Sequence, residues 1–142
     1  MRHFENMLRQ HASIHEDLNF LVAVLEKDST DINATDVALC ISRLAGKLKV
    51  HMLEEDKFLY PELLQSPDAE VKAMAHQYIS EMGHLAEEYT RFKTEYNTAN
   101  KILAKPEVFI SEARQITQAL VQRMDKEDHE LYILVQKRQK GN

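Results

Sequence analysis

Apolar residues recur along the chain at intervals of three and four, the period of a helix that buries one face. From about Arg2 to Lys27 the stripe is Phe4, Met7, Leu8, Ile14, Leu18, Leu21, Val22 and Leu25. The polar stretch Asp28-Ser29-Thr30-Asp31-Ile32-Asn33 ends it, and Thr35 is the expected N-cap of the next helix. That second helix is expected from about Asp36 to Gln65, striped by Val37, Ile41, Leu44, Leu48, Met52, Leu59 and Leu63. Tyr60-Pro61 predicts a kink in its last turns, because proline removes a helical donor. Ser66-Pro67-Asp68 reads as an N-cap, a proline at the first helical position and an acid in the first turn. The third helix then runs to about Asn97 on Val71, Met74, Tyr78, Met82, Leu85, Tyr89 and Phe92, with Gly83 weakening its middle. A turn from Asn97 to Lys105 leads to a fourth helix opened by Pro106. Its stripe is Phe109, Ala113, Ile116, Leu120, Met124, Leu131 and Val135, and its end is expected near Gly141. No strand-like alternation competes. The expected fold is all-α, an antiparallel up-down-up-down four-helix bundle forming a single domain over residues 1–142.

Composition narrows the function more than the fold. With 44% hydrophobic and 29% charged residues the chain is a folded one and not a disordered one. The longest apolar run, Leu21-Val22-Ala23-Val24-Leu25, is far short of the roughly 20 residues of a membrane span. Met1-Arg2-His3-Phe4-Glu5-Asn6 has no apolar signal segment, so the expected location is the cytoplasm, with no membrane partner. Cys40 is alone, which excludes an internal disulfide and a thiolate-rich zinc site. A net charge of −5 argues against nucleic acid as a partner. No Ser-His-Asp or Cys-His grouping supports hydrolysis, and no glycine-rich loop supports nucleotide binding. Seven histidines are the compositional oddity.

Polar residues that fall inside an apolar stripe are the informative ones, since the fold buries them. At 100° per residue, His11 lies within about 20° of the centre of the first stripe and His15 about 60° away, with His3 at the opposite edge. On the second helix Glu55 lies about 20° and His51 about 60° from the centre, and on the fourth Glu127 and Arg123 repeat those angles. Glu81 sits roughly 60° off the third stripe, at the rim of the core. His76 and His84 point outward, and His129 points off its stripe. Height is an independent filter. Turns centred near residues 31, 66 and 102 bring positions 9, 53, 79 and 125 to one level. His11, His51, Glu55, Glu81, Arg123 and Glu127 therefore converge on one layer. Three carboxylates buried there require a cation, which is either a metal or the set Arg123, His11 and His51.

These residues carry a resemblance. His51-Met52-Leu53-Glu54-Glu55 through Leu59-Tyr60-Pro61 resembles the H-x-x-x-E…L-[FY]-P segment of hemerythrin-like, HHE cation-binding domains. Arg9-Gln10-His11-Ala12-Ser13-Ile14 is similar to the family's first-helix histidine with an apolar residue three positions on. The resemblance spans essentially the whole chain and implies the same four-helix bundle. It implies a non-haem di-iron pair held by histidines and bridging carboxylates, with roles in oxygen binding, nitric-oxide or iron sensing, or iron–sulfur repair. The fourth helix departs from the pattern. Arg123-Met124-Asp125-Lys126-Glu127 through Leu131-Tyr132 aligns with the second-helix motif, so Arg123 stands where the family has histidine, and a guanidinium cannot ligate. Glu81 stands where the family usually has a third-helix histidine, and Ile133 replaces the motif proline.

The expected metal ligands are His11, His51, Glu55, Glu81 and Glu127, around one or two non-haem iron ions, with manganese or zinc as chemically suitable substitutes. Arg123 is expected to orient a carboxylate or to steer a small anionic ligand. The expected role is sensing or binding a small ligand such as O2 or NO, with a protein partner or a homo-oligomer as further possibilities. Oxygen or peroxide chemistry at the site is the enzymatic version. The alternative is a metal-free regulatory or interaction module in which Arg123 replaces the metal charge.

Overall fold

The computed structural model describes residues 2–27 and 32–134, with side chains from Glu5 onward, and is all-helical over them. The long elements are α1 (Arg2–Glu26), α2 (Ala34–Glu54), α4 (Ala69–Tyr96) and α6 (Pro106–Lys126). Two shorter helices, α3 (Tyr60–Leu64) and α5 (Ala99–Ala104), lie between them. The expectations for Phe4 and His3 as side chains, for most of the first polar turn, and for Val135 and Gly141 fall outside the described residues. No helix among the described residues is long and apolar enough to cross a membrane.

Local chemistry sets the boundaries, and some differ from those expected. Asn33, not Thr35, caps α2, its side chain accepting from the Asp36 N–H at 3.1 Å. Asp68, not Ser66, caps α4 by accepting from the Glu70 N–H at 2.9 Å. Ser66 instead receives the Asp68 N–H on its hydroxyl at 3.1 Å, which holds Pro67 in the approach to the helix. The expected turn between Asn97 and Lys105 contains α5, because Thr98 caps it and the fully buried Ile102 anchors it to the core.

The expected kink near Pro61 takes the form of a π-helical turn over Glu55–Leu59, immediately before α3. In it the Tyr60 N–H reaches back five residues to the Glu55 carbonyl. A second π turn, Glu127–Leu131, follows α6, with the Tyr132 N–H on the Glu127 carbonyl. That one has no proline near it, so proline is not what widens these helices. Each widened turn begins at a buried glutamate. Single π turns inside α-helices are uncommon and gather at functional sites.

Cross-helix contacts run in opposite directions along paired helices. Between α1 and α2, His51 lies near Gln10, the Lys47 ammonium donates to the Ser13 carbonyl at 3.2 Å, and Arg43 bridges to Asp17 at 3.0 Å. Between α1 and the last helix, Arg114 donates to the Leu25 carbonyl at 2.7 Å, while His15 meets Asp128 at 3.2 Å. Tyr96 reaches Glu112 from α4 at 2.8 Å, and Tyr78 reaches Glu130 at 2.9 Å. Tyr89 ties α4 to α2 through the Ile41 carbonyl at 2.6 Å.

The core these helices enclose is divided. One apolar cluster gathers Ile14, Leu18, Ile41, Leu44, Phe109 and Leu120; a second gathers Met7, Leu59, Leu63, Val71, Tyr78 and Leu131. Between them lie the buried polar residues His11, His51, Glu55, Arg123 and Glu127. Leu8 departs from its expected inward place and is 36% exposed.

Gly83 is part-buried in the middle of α4, and a Cβ built there meets nothing within 4 Å. Its helical backbone already suits alanine, whose unfolded chain has less freedom to lose. Gly83→Ala is expected to stabilise the protein by about 1 kcal/mol in denaturant unfolding. A loss of stability would mean that the position needs a bare backbone.

Candidate metal centre

His11 comes from α1, His51 from the last turn of α2, and Glu55 and Glu127 from the first positions of the two π turns. All four are enclosed: His51 and Glu127 are 0% exposed, Glu55 1% and His11 2%. His51 Nε2 lies 3.5 Å from Glu55 Oε2 and 3.9 Å from Glu127 Oε1. His11 Nε2 lies 3.9 Å from Glu127 Oε2. One ligand atom each of His11, His51 and Glu127 falls within 4.8 Å of the others, a spacing that one ion can span. The rings of His11 and His51 are 5.3 Å apart.

Three polar atoms in this cluster have no hydrogen-bond partner: His11 Nε2 and both oxygens of Glu127. Glu127 is nevertheless held ionised. Burial opposes its charge, but polar contact with His51 and Glu55, and then the electrostatic pull of His51 and His11, outweigh that and keep its pKa below the ordinary carboxylate value. Glu55 goes the other way: burial and then the charge of Glu127 push its pKa well above the usual range. The two carboxyls thus divide the roles of acid and anion, as close buried pairs do. Burial also lowers the pKa of His11, against the pull of Glu127 and Asp128, so its ring tends to be neutral.

Arg123 does not resolve the imbalance. The residue is 6% exposed, and its guanidinium donates to Glu81 at 2.8 Å and to the Tyr78 carbonyl at 2.6 Å while lying over the Tyr78 ring at 4.2 Å. Its Nε stays 3.8 Å from Glu127 and unpartnered. A buried carboxylate without hydrogen bonds is costly, and a cation among the donors removes that cost. Two imidazoles and a carboxylate, with Glu55 beside them, form a donor set suited to iron, manganese or zinc.

The family model for the hemerythrin HHE cation binding domain matches residues 2–135. The chain belongs to that family. No curated protein and no solved structure matches it. Within the hemerythrin HHE family frame, the second-helix motif supplies His51 and Glu55 to the cluster. The parallel segment of the last helix supplies Glu127, with Arg123 turned toward α4.

The structure does not bring Glu81 into this group. Its side chain is 44% exposed, accepts from Gln77 at 2.9 Å and pairs with Arg123. The Gln77 hydrogen bond, followed by the Lys126 and Arg123 charges, lowers its pKa despite some desolvation. His76, His84 and His129 are exposed, and His15 is half-buried beside the cluster.

Residues that the periodicity did not single out also surround the donors. The Tyr132 hydroxyl lies 3.0 Å from His51 Nε2 and donates to Glu55 at 3.2 Å. Asp128 accepts from His11 Nδ1 at 2.8 Å, and Gln10 lies 3.3 Å from His51 Nδ1. Burial, and then the charge of Glu55, raises the pKa of both Tyr60 and Tyr132, so each phenol keeps its proton. The Leu-Tyr pair that follows each glutamate was visible as a repeat. Its contact with the site was not, because a straight helix does not turn both residues inward.

In chelator-stripped protein at neutral pH, Glu127→Gln is expected to unfold earlier than the unaltered chain, because the neighbours that hold the Glu127 pKa below the usual carboxylate value favour its anion in the fold. The difference is expected to shrink as acidification through the carboxylate range protonates Glu127, and a variant that unfolds later at neutral pH would show that the buried anion is a net cost to the fold.

Proposed function

We propose that this chain is a hemerythrin-like protein, folded as an antiparallel up-down-up-down four-helix bundle, that holds non-haem iron between its helices. The observation that carries the reading is the fully buried Glu127, flanked at 3.8–3.9 Å by nitrogens of Arg123, His11 and His51, beside the unpartnered Nε2 of His11. His11, His51, Glu55 and Glu127 hold the metal, while Glu81 serves as the counter-ion of Arg123. Asp128 and Gln10 set the orientations of His11 and His51 through their outer ring nitrogens, which leaves Nε2 of each ring facing inward. Tyr132 holds the Glu55 carboxyl in place.

Arg123 occupies the position from which a second metal would draw its histidine, so the reading is one iron per chain. Iron bound there supplies reversible small-ligand binding and one-electron redox chemistry. The two apolar clusters shield the layer from bulk water, and the Arg123 guanidinium lends positive charge at its edge. These features favour sensing or binding of a small ligand such as O2 or NO. The metal-free module is disfavoured by the direction in which Arg123 spends its donors.

Elemental analysis of protein purified without chelators or a metal-affinity step tests this reading. About one iron per chain is expected, with sharp loss in His51→Ala and no loss in His76→Ala, whose side chain faces solvent. Arg123→His is expected to raise the count. Metal near zero in the unaltered protein would overturn the reading.

A further inference from the structure

The inner donors are almost sealed, which raises the question of how an ion reaches them. With exposures of 0–2% for His11, His51, Glu55 and Glu127, no straight path from solvent ends on their ligand atoms. One group of metal-competent side chains does lead outward. His15 is 27% exposed and Asp128 37%, and both lie directly against His11. The two carboxylate oxygens of Asp128 are divided between two imidazoles, Oδ1 at 2.8 Å from His11 Nδ1 and Oδ2 at 3.2 Å from His15 Nε2. The His11 and His15 rings meet edge to face at 5.0 Å. One ligand atom each of His11, His15 and Asp128 falls within 4.8 Å of the others.

Resting on the iron-binding reading above, we propose that His15 and Asp128, with His11, form an outer site that captures a divalent transition-metal ion and passes it to the buried donors. His11 is the wall between the two positions. Its Nδ1 faces Asp128, and its Nε2 faces Glu127 and lacks a partner. The outer group is built by two adjacent turns of α1, which put His11 and His15 on one face, and by the π turn, which carries Asp128 one residue past Glu127. Two imidazoles and one carboxylate favour iron, cobalt or zinc over magnesium or calcium, which take all-oxygen shells. An ion that exchanges one ligand at a time can leave His15 while still held by Asp128 and His11. A buried site needs such an entry path.

The test follows uptake of cobalt(II) alone by chelator-stripped full-length protein, using the visible absorption of the bound ion in stopped flow. His15→Ala is expected to slow loading by about tenfold or more while the final number of ions per chain stays unchanged. Asp128→Asn is expected to slow it as well, and His129→Ala, which removes an exposed imidazole one position away, is expected to load at the unaltered rate. Equal rates in His15→Ala and the unaltered protein overturn the inference, as does equal slowing in His129→Ala. A lower final count in His15→Ala overturns it too, because His15 is then a resident ligand. No uptake by the unaltered protein overturns this inference and the metal-binding reading together, whereas uptake at one rate by every variant overturns this inference alone.

Discussion

A single carboxylate governs the interior of this protein. Glu127 is fully enclosed, is held ionised by its neighbours, and stands 3.8–3.9 Å from the nitrogens of Arg123, His11 and His51 that face it. The apolar clusters on both sides of it satisfy themselves by packing, which is non-directional and tolerant of small shifts. The layer between them has no such freedom. The Arg123 charge is matched by Glu81, His11 is pushed toward neutrality by burial, and burial with the charge of Glu127 raises the Glu55 pKa. What remains is one negative charge and inward-facing nitrogens, an arrangement that a cation completes.

The two π turns explain how two helices deliver this chemistry in the same way. Each starts at the glutamate, and each widens the helix so that residues four and five positions later both face inward. Leu59 and Tyr60 are buried together after Glu55, as Leu131 and Tyr132 are after Glu127. The leucines extend the second apolar cluster, and Tyr132 closes over His51 and Glu55. The two segments differ at their starts, His51 in one and Arg123 in the other. That substitution makes the centre lopsided: the Arg123 side is an ion pair tied to α4, and the His51 side is a donor set.

The long helices were legible in the amino-acid sequence because their apolar stripes are regular, and Ile14, Leu44, Tyr78 and Leu120 lie buried as that regularity requires. The angular argument also placed His11, His51, Glu55 and Glu127 inward: His11 lies on the uninterrupted α1, and the other three lie on or before the first residue of a π turn, where α-helical phase still holds. It failed to single out Asp128 and Tyr132, which follow the change of phase. Glu81 illustrates a different limit. Its angle at the rim was compatible with either side, and in the fold it pairs with the Arg123 guanidinium and accepts from Gln77, one turn back on α4. Capping shows the same pattern at small scale: Thr35 and Ser66 had suitable side chains, but Asn33 and Asp68 hold the geometry that reaches the free N–H groups.

The most direct measurement of the central claim is the thermal unfolding of one protein sample in excess chelator and of the same sample supplied with ferrous ion under anaerobic conditions. A ligand that binds only the folded chain stabilises it by mass action, by about 2.7 kcal/mol at a hundredfold excess over its dissociation constant. The account predicts a melting temperature several degrees higher with the ion, rising further with its concentration. Superimposable unfolding curves in the two conditions would contradict it, since the charge of Glu127 would then need no cation.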